Sequence, residues 1–172
     1  MNSDLQKQID EVVDELEEIK KTIGNGKHKL SPISKYLTHY SVVRSSGRIE
    51  FLFKKILSDK LKDDCIDSHN RIKEFITKDI MDSSCNPKTN IIEKYLSRFD
   101  PKWENCFKDS LRRHKDLNTS MNIKSDLNSL VQLRNDIAHG NSCNTSIDTI
   151  IKYYKSGTVV LNLLYDVLFQ NT

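Results

Sequence analysis

The sequence predicts an all-α protein, an up-and-down bundle of about four main helices with additional short ones. Three observations carry this. Apolar residues recur at spacings of three and four through successive long blocks. No stretch alternates apolar and polar residues between hairpin turns. Only five Gly and three Pro punctuate 172 residues, which suits helices joined by few tight turns.

An amphipathic helix is expected from about Asp4 to Ile23. Leu5, Ile9, Val12, Leu16, Ile19 and Ile23 step by fours and threes, the spacing of a coiled-coil seam. That seam packs either on its own bundle or against a second protomer. Gly24-Asn25-Gly26 then breaks the chain, leaving Lys27, His28 and Lys29 in a loop. Ser31-Pro32 starts a long helix, with Pro at the first helical position. Its apolar set, Ile33, Leu37, Tyr40, Val43, Ile49, Phe51, Leu52, Phe53, Ile56, Leu57 and Leu61, reads as one broad core face to about Lys62. Ser45-Ser46-Gly47 offers a place for a kink. Tyr36, His39 and Tyr40 either line a cleft or, as aromatics at helical spacing more often do, join the core. Glu50 lies where the apolar face turns polar.

A shorter helix follows from Asp67 or Ser68, after which come His69 and Arg71, to about Met81, with Ile72, Phe75, Ile76 and Ile80 inward. Asp82 to Pro87 is loop. Thr89 or Asn90 caps a helix from Ile91 to Phe99, and Asp100-Pro101 begins another through Trp103, a packing residue, and Phe107 to Leu111. Arg112, Arg113, His114 and Lys115 form the densest basic run, either a grip for phosphates or a solvated helix end. Lys115 to Lys124 reads as a linker. A final helix from Ser146 or Asp148 holds Ile150, Ile151, Tyr154, Val160, Leu164 and Leu168, too apolar for a surface element. Tyr153 and Tyr154 either return near the preceding helix end or pack. Gly157 inside that helix admits a close backbone neighbour or costs about 1 kcal/mol of helix propensity for nothing.

Between the linker and the last helix lies the stretch from Leu127 to Gly140, LNSLVQLRNDIAHG. Leu127, Leu130, Val131, Leu133, Ile137 and Ala138 make one face apolar, while Arg134, Asn135, Asp136 and His139 crowd the last turn and a half. Gly140 stands where a left-handed cap ends a helix. The negative end of the macrodipole favours a protonated His139, and an imidazole beside a fixed guanidinium suits acid/base work on a phosphate. Five helical residues span roughly 140° and 7.5 Å, so Arg134 and His139 splay apart unless the last turn unwinds. Two copies across a two-fold axis place two of each around one cleft. A homodimer is therefore expected.

Arg134-Asn135-Asp136-Ile137-Ala138-His139-Gly140 resembles the R-x4-H signature of the HEPN superfamily, and its form RN-x-x-AHG is closest to the RiboL-PSP-HEPN branch. Val42 to Phe51 is similar to that branch's early helix, which carries a glutamate, here Glu50. The resemblance covers about residues 31 to 170. It implies a HEPN-like bundle and, in many members, a metal-independent RNase of defence and toxin systems. His139 is then general base or acid, Arg134 stabilises charge on phosphorus, Asn135 positions one of them, and Glu50 orients Arg134 or His139 unless it serves an ordinary salt bridge. The product implied is a 2′,3′-cyclic phosphate. A different class stays open: a non-catalytic HEPN-like module that dimerises and binds RNA, a nucleotide or a protein, with Arg134 bridging Asp136 or Glu50.

Charge divides by region. Residues 1 to 23 carry seven acids against three lysines, and since the whole chain is +3, the remainder is +7. The division expected is an acidic amphipathic helix and loop over 1–26 and a HEPN-like helical domain over 27–172. A moderately basic body suits a phosphate backbone, with Arg112, Arg113, Lys115 and Arg48 as the candidate RNA contacts. Four dispersed cysteines, Cys65, Cys85, Cys106 and Cys143, indicate neither a zinc site nor a disulfide framework. No cofactor or metal is expected. No segment approaches the roughly 20 apolar residues of a membrane span, and the polar first residues do not read as a signal peptide, so a cytoplasmic location is expected. The partners expected are an RNA substrate, a second copy and an antitoxin or other regulatory protein. A glycine-rich phosphate loop, H-E-x-x-H, G-x-S-x-G and internal repeats are all missing.

Overall fold

The last helix is the axis of the fold, and its composition explains why. In a computed structural model describing residues 1–24, 31–65, 70–117 and 122–170, α7 (Ile147–Phe169) buries Ile150, Ile151, Tyr154, Val160, Leu161, Leu164 and Leu168. Ser146 caps it by accepting the Thr149 N–H at 3.1 Å. Around it stand α1 (Ser3–Gly24), α2 (Pro32–Asp64) and α6 (Ile123–Ala138), with α3 (Asn70–Ile76), α4 (Thr89–Phe99) and α5 (Pro101–Leu117) as additional helices. Among the described residues there is no strand. Most of the turn expected after Gly24, including His28, the helix start expected at Asp67 or Ser68 with His69, and part of the Lys115–Lys124 linker lie outside the described residues.

Side-chain bonds fix the directions. Lys20 pairs with Asp148 at 2.6 Å and the Tyr154 hydroxyl donates to the Ile9 carbonyl at 3.3 Å, so α1 runs antiparallel to α7. Arg44 pairs with Glu15 at 2.8 Å and Arg48 donates to Gln8 at 2.7 Å, so α1 is antiparallel to α2 as well. The seam of α1 is spent inside this chain: Leu5, Ile9, Val12 and Leu16 are buried in the common core. Asp126 binds Ser156 Oγ at 2.8 Å and Lys152 Nζ at 3.4 Å, tying α6 to α7. A Cβ built on Gly157 would lie 3.0 Å from Ile49 Cδ1 and 3.4 Å from Leu127 Cδ1. Gly157 thus sits at a close approach of α2, α6 and α7.

Three expectations are corrected, while α2 runs as one continuous helix through Ser45-Ser46-Gly47, the two serines buried as small side chains on its packed side. Its apolar residues form two faces rather than one. Ile49, Leu52, Phe53, Ile56 and Leu57 enter the core, whereas Ile33, Tyr36, Tyr40, Val43 and Phe51 are exposed, Tyr36 by 71%. In α3 only Ile76, and beyond it Ile80, turn inward; Ile72 and Phe75 face out, and Thr77–Met81 is a π-helical turn closed by the Asp82 N–H to the Thr77 carbonyl. α5 runs past the expected end at Leu111 to Leu117, so Lys115 to Leu117 are helix and not linker. Trp103 packs as expected, half-buried with Lys60 Nζ 5.8 Å from its ring centre.

Candidate active site

The site is built at the C-terminal end of α6. Asn122 caps the other end by accepting the Ser125 N–H at 3.1 Å, and Leu127, Leu130 and Val131 seat the helix in the core. The last turn does not unwind. Helix geometry holds through Ala138, and two reciprocal backbone bonds close it: Gly140 N–H to the Ile137 carbonyl at 3.0 Å and Asn141 N–H to the Asp136 carbonyl at 2.9 Å. Gly140 adopts φ of 81°, the left-handed conformation such a closure needs. His139 is the cap residue and is exposed, with Ala138 and Gly140 beside it. Arg134 and Asn135 are half-buried.

The polar groups of the motif are sparsely engaged. Arg134 Nη1 donates to Asn135 Oδ1 at 3.3 Å. Asp136 accepts from Gln132 Nε2 at 2.9 Å, one turn back along the same helix. Among the described residues neither Arg134 nor His139 has a carboxylate partner. Glu50 does not supply one. It accepts the Cys85 N–H at 3.1 Å and pairs with Lys54 Nζ at 2.8 Å, and Lys54 in turn donates to the Ser83 carbonyl. Glu50 therefore anchors the loop before α4 to α2. Burial first, and the Glu50 carboxylate second, push the Cys85 thiol up, which leaves it in the less reactive thiol form.

Topology decides what surrounds the motif. Leu127 is level with Ile49 and Gly157, and seven further residues of α6 advance about 10 Å towards the end where α2 and α7 begin. The motif thus shares an end of the bundle with the exposed Ile33, Tyr36 and Tyr40. His39 lies on that part of α2, half-buried, its Nε2 enclosed and without a hydrogen-bond partner among the described residues. Tyr154 is core: fully buried, with its phenol pushed up by burial. Tyr153 is half-buried.

The residue-by-residue match to the R-x4-H pattern, on the exposed end of a helix packed between α2 and α7, agrees with a family comparison. The RiboL-PSP-HEPN family model matches residues 3–170. The chain belongs to the RiboL-PSP-HEPN family. The match begins at the first residue of α1, the helix whose Leu5, Ile9, Val12 and Leu16 are buried in the common core. No curated protein and no solved structure matches this HEPN chain. The family supports a HEPN-type RNase or a HEPN-like module.

The candidate RNA contacts do not form one surface. Arg112 and Lys115 line a cleft of about 810 Å³ between α4, α5 and α6. Arg113 is exposed outside it, donating to Ser110 Oγ at 3.4 Å. Arg48 lies on α2, bonded to Gln8 and 5.8 Å from the Phe51 ring centre. Lys88 and Lys124, not singled out in the sequence, join Arg112 and Lys115 in the cleft. Among the described residues no three His, Cys, Asp or Glu side chains cluster as a metal would need, and no helix is long and apolar enough to cross a membrane.

Proposed function

We propose that this protein is a metal-independent endoribonuclease that works as a homodimer and cleaves RNA through the ribose 2′-hydroxyl. The observation that carries the reading is the state of the motif: a guanidinium and an imidazole at an open helix end, with no carboxylate partner among the described residues. A purely structural R-x4-H would have Arg134 bridging Asp136 or Glu50, and those carboxylates are held by Gln132 and by Lys54 with Cys85.

In the proposed reaction His139 takes the 2′-hydroxyl proton as that oxygen bonds to phosphorus. The bond from phosphorus to the 5′ oxygen breaks, and the leaving oxygen receives a proton from the partner subunit's His139. Arg134 stabilises the charge gathered on the non-bridging oxygens, and Asn135 holds its guanidinium. The products are a 2′,3′-cyclic phosphate and a 5′-hydroxyl. DNA has no 2′-hydroxyl and survives. Glu50 is given no part in the chemistry.

The exposed stripe of α2 supports the dimer. Ile33, Tyr36, Tyr40, Val43 and Phe51 repeat at threes, fours and an eight that Gly47 divides, the spacing of a helix-pairing seam. Gly47 is open to solvent, with nothing within 4 Å of a Cβ placed on it, so a second helix can approach the backbone there. Tyr36, Tyr40 and Phe51 are exposed by 71%, 49% and 41%, and with aromatic side chains worth roughly 150–250 Å² each the stripe offers about half of the roughly 800 Å² per partner of a standard interface. A second copy of α2 is the matching surface, because an isologous contact sets the same stripe against itself. A defence or toxin–antitoxin setting in the cytoplasm, with an antitoxin or other regulatory protein, follows from a nuclease that must be restrained. Growth tests the reading: expression of the wild-type chain is toxic and His139→Ala relieves it. Equal toxicity of the two chains overturns it.

A further inference from the structure

Beside the motif helix lies a cleft that the catalytic reading does not use. It runs between α4, α5 and α6, with a volume of about 810 Å³, and among the described residues Lys88, Lys108, Arg112, Lys115 and Lys124 line it against one acid, Glu93. Lys108 is held by Glu104 at 2.6 Å, and the other four cations are weakly committed. Lys124 reaches Glu93 at 3.3 Å and Lys88 reaches the Gln132 amide oxygen at 3.0 Å, while Arg112 pairs with Asp109 only at the exposed surface. Lys115 takes no partner among the described residues. Exposed pairs of this kind are worth about 0–1 kcal/mol, so a phosphate can replace the carboxylate.

We propose that this cleft is the track for the sugar-phosphate backbone of a single-stranded RNA, delivering it to Arg134 and His139. Asn122 to Gln132 of α6 form one wall, so the cleft ends one turn before Asp136, to which Gln132 is bonded. At the other end the first turn of α6, Ile123 to Ser125, brings the positive end of its dipole to the same wall. Asn128, Ser129 and Gln132 add amide and hydroxyl groups suited to phosphate and sugar oxygens. A protein partner needs large apolar anchors, and among the described residues the apolar side chains lining the cleft are Leu111 and Ile123. Arg112 and Lys115, one helical turn apart, face it from α5. The strand's destination rests on the nuclease reading; its grip on the cleft does not.

The test is binding of a labelled single-stranded RNA to the full chain carrying His139→Ala, over a salt series. Adding Arg112→Ala with Lys115→Ala, or Lys88→Ala with Lys124→Ala, weakens binding about tenfold and flattens the slope of log affinity against log salt by roughly 1.4 for two lost phosphate contacts. Lys7→Ala with Lys78→Ala removes the same charge elsewhere and leaves the slope unchanged. Unchanged binding in both cleft variants, or equal loss in the control, overturns the proposal. So does displacement of the RNA by poly-aspartate of matched charge, which assigns the cleft to an acidic protein. An inert wild type with cleft-dependent RNA binding overturns the nuclease alone, and an active wild type with cleft-independent binding overturns the track alone.

Discussion

The Asn141 N–H donates to the Asp136 carbonyl across 2.9 Å, and this bond fixes where His139 stands. Together with the Gly140 N–H to Ile137 it ends α6 abruptly, so His139 is delivered at a rigid cap and not in a loose loop.

Gly140→Ala therefore affects both stability and activity. At φ of 81° a Cβ costs about 1–2 kcal/mol, and relief of that strain opens the cap. The expected result is a lowered urea midpoint and a lower cleavage rate with RNA affinity maintained. Circular dichroism melts with single-turnover kinetics check it; unchanged values show that the cap is not needed to place His139.

Gly157→Val is expected to cost about 1–3 kcal/mol by overpacking. Ile49 Cδ1 at 3.0 Å and Leu127 Cδ1 at 3.4 Å leave no room for a branched side chain. The measurement is the denaturant midpoint, and a stabilised variant would mean that the three helices are not in contact there.

A pH effect is expected at Glu15. Burial raises its carboxyl, but the hydrogen bonds from Tyr40 and Arg44, with the Arg44 charge, outweigh that and hold it below the ordinary 4.5. A carboxyl depressed in the folded state stabilises above its unfolded value and loses that contribution as pH falls through the folded one. The wild type should thus exceed Glu15→Gln in stability at pH 7, by less than about 1 kcal/mol for so accessible a pair. The gap narrows as the pH falls below the ordinary carboxylate range. Denaturation over a pH series from 7 downwards checks this, and a gap that widens on acidification contradicts it.

Val43→Glu with Phe51→Glu places four carboxylates in the proposed α2 seam. Both residues are solvent-exposed within one chain, so folding is expected to persist. The dimer should dissociate and cleavage fall with it. Sedimentation and a far-ultraviolet spectrum decide the matter: a folded double variant that still dimerises excludes this face.

These predictions rest on features of unequal visibility in the sequence. The helices were legible because apolar spacing repeats over several turns in each, and Gly140 announced the end of α6. The two faces of α2 were not. Periodicity says which residues are apolar, whereas the side that is covered depends on where α1, α6 and α7 pack, and Tyr36 and Tyr40 were left outside. Arg112 and Lys115 differ from Arg113 by helical phase, a signal present in the sequence once α5 is known to continue to Leu117. Lys88 and Lys124 enter the cleft from separate helices, and nothing local marks them. The place of Glu50 at the edge of the apolar face is legible from helical phase, but its partners, Lys54 and the Cys85 N–H, include a loop contact 35 residues away.

The most direct measurement is cleavage of total RNA in EDTA by the purified chain, with Arg134→Ala and His139→Ala prepared alongside and shown to be folded dimers. The expected result is cleavage by the wild type to 2′,3′-cyclic phosphate ends and loss of cleavage in both variants. An inert wild type, a need for divalent metal, or equal cleavage by all three would contradict the assignment of catalysis to Arg134 and His139.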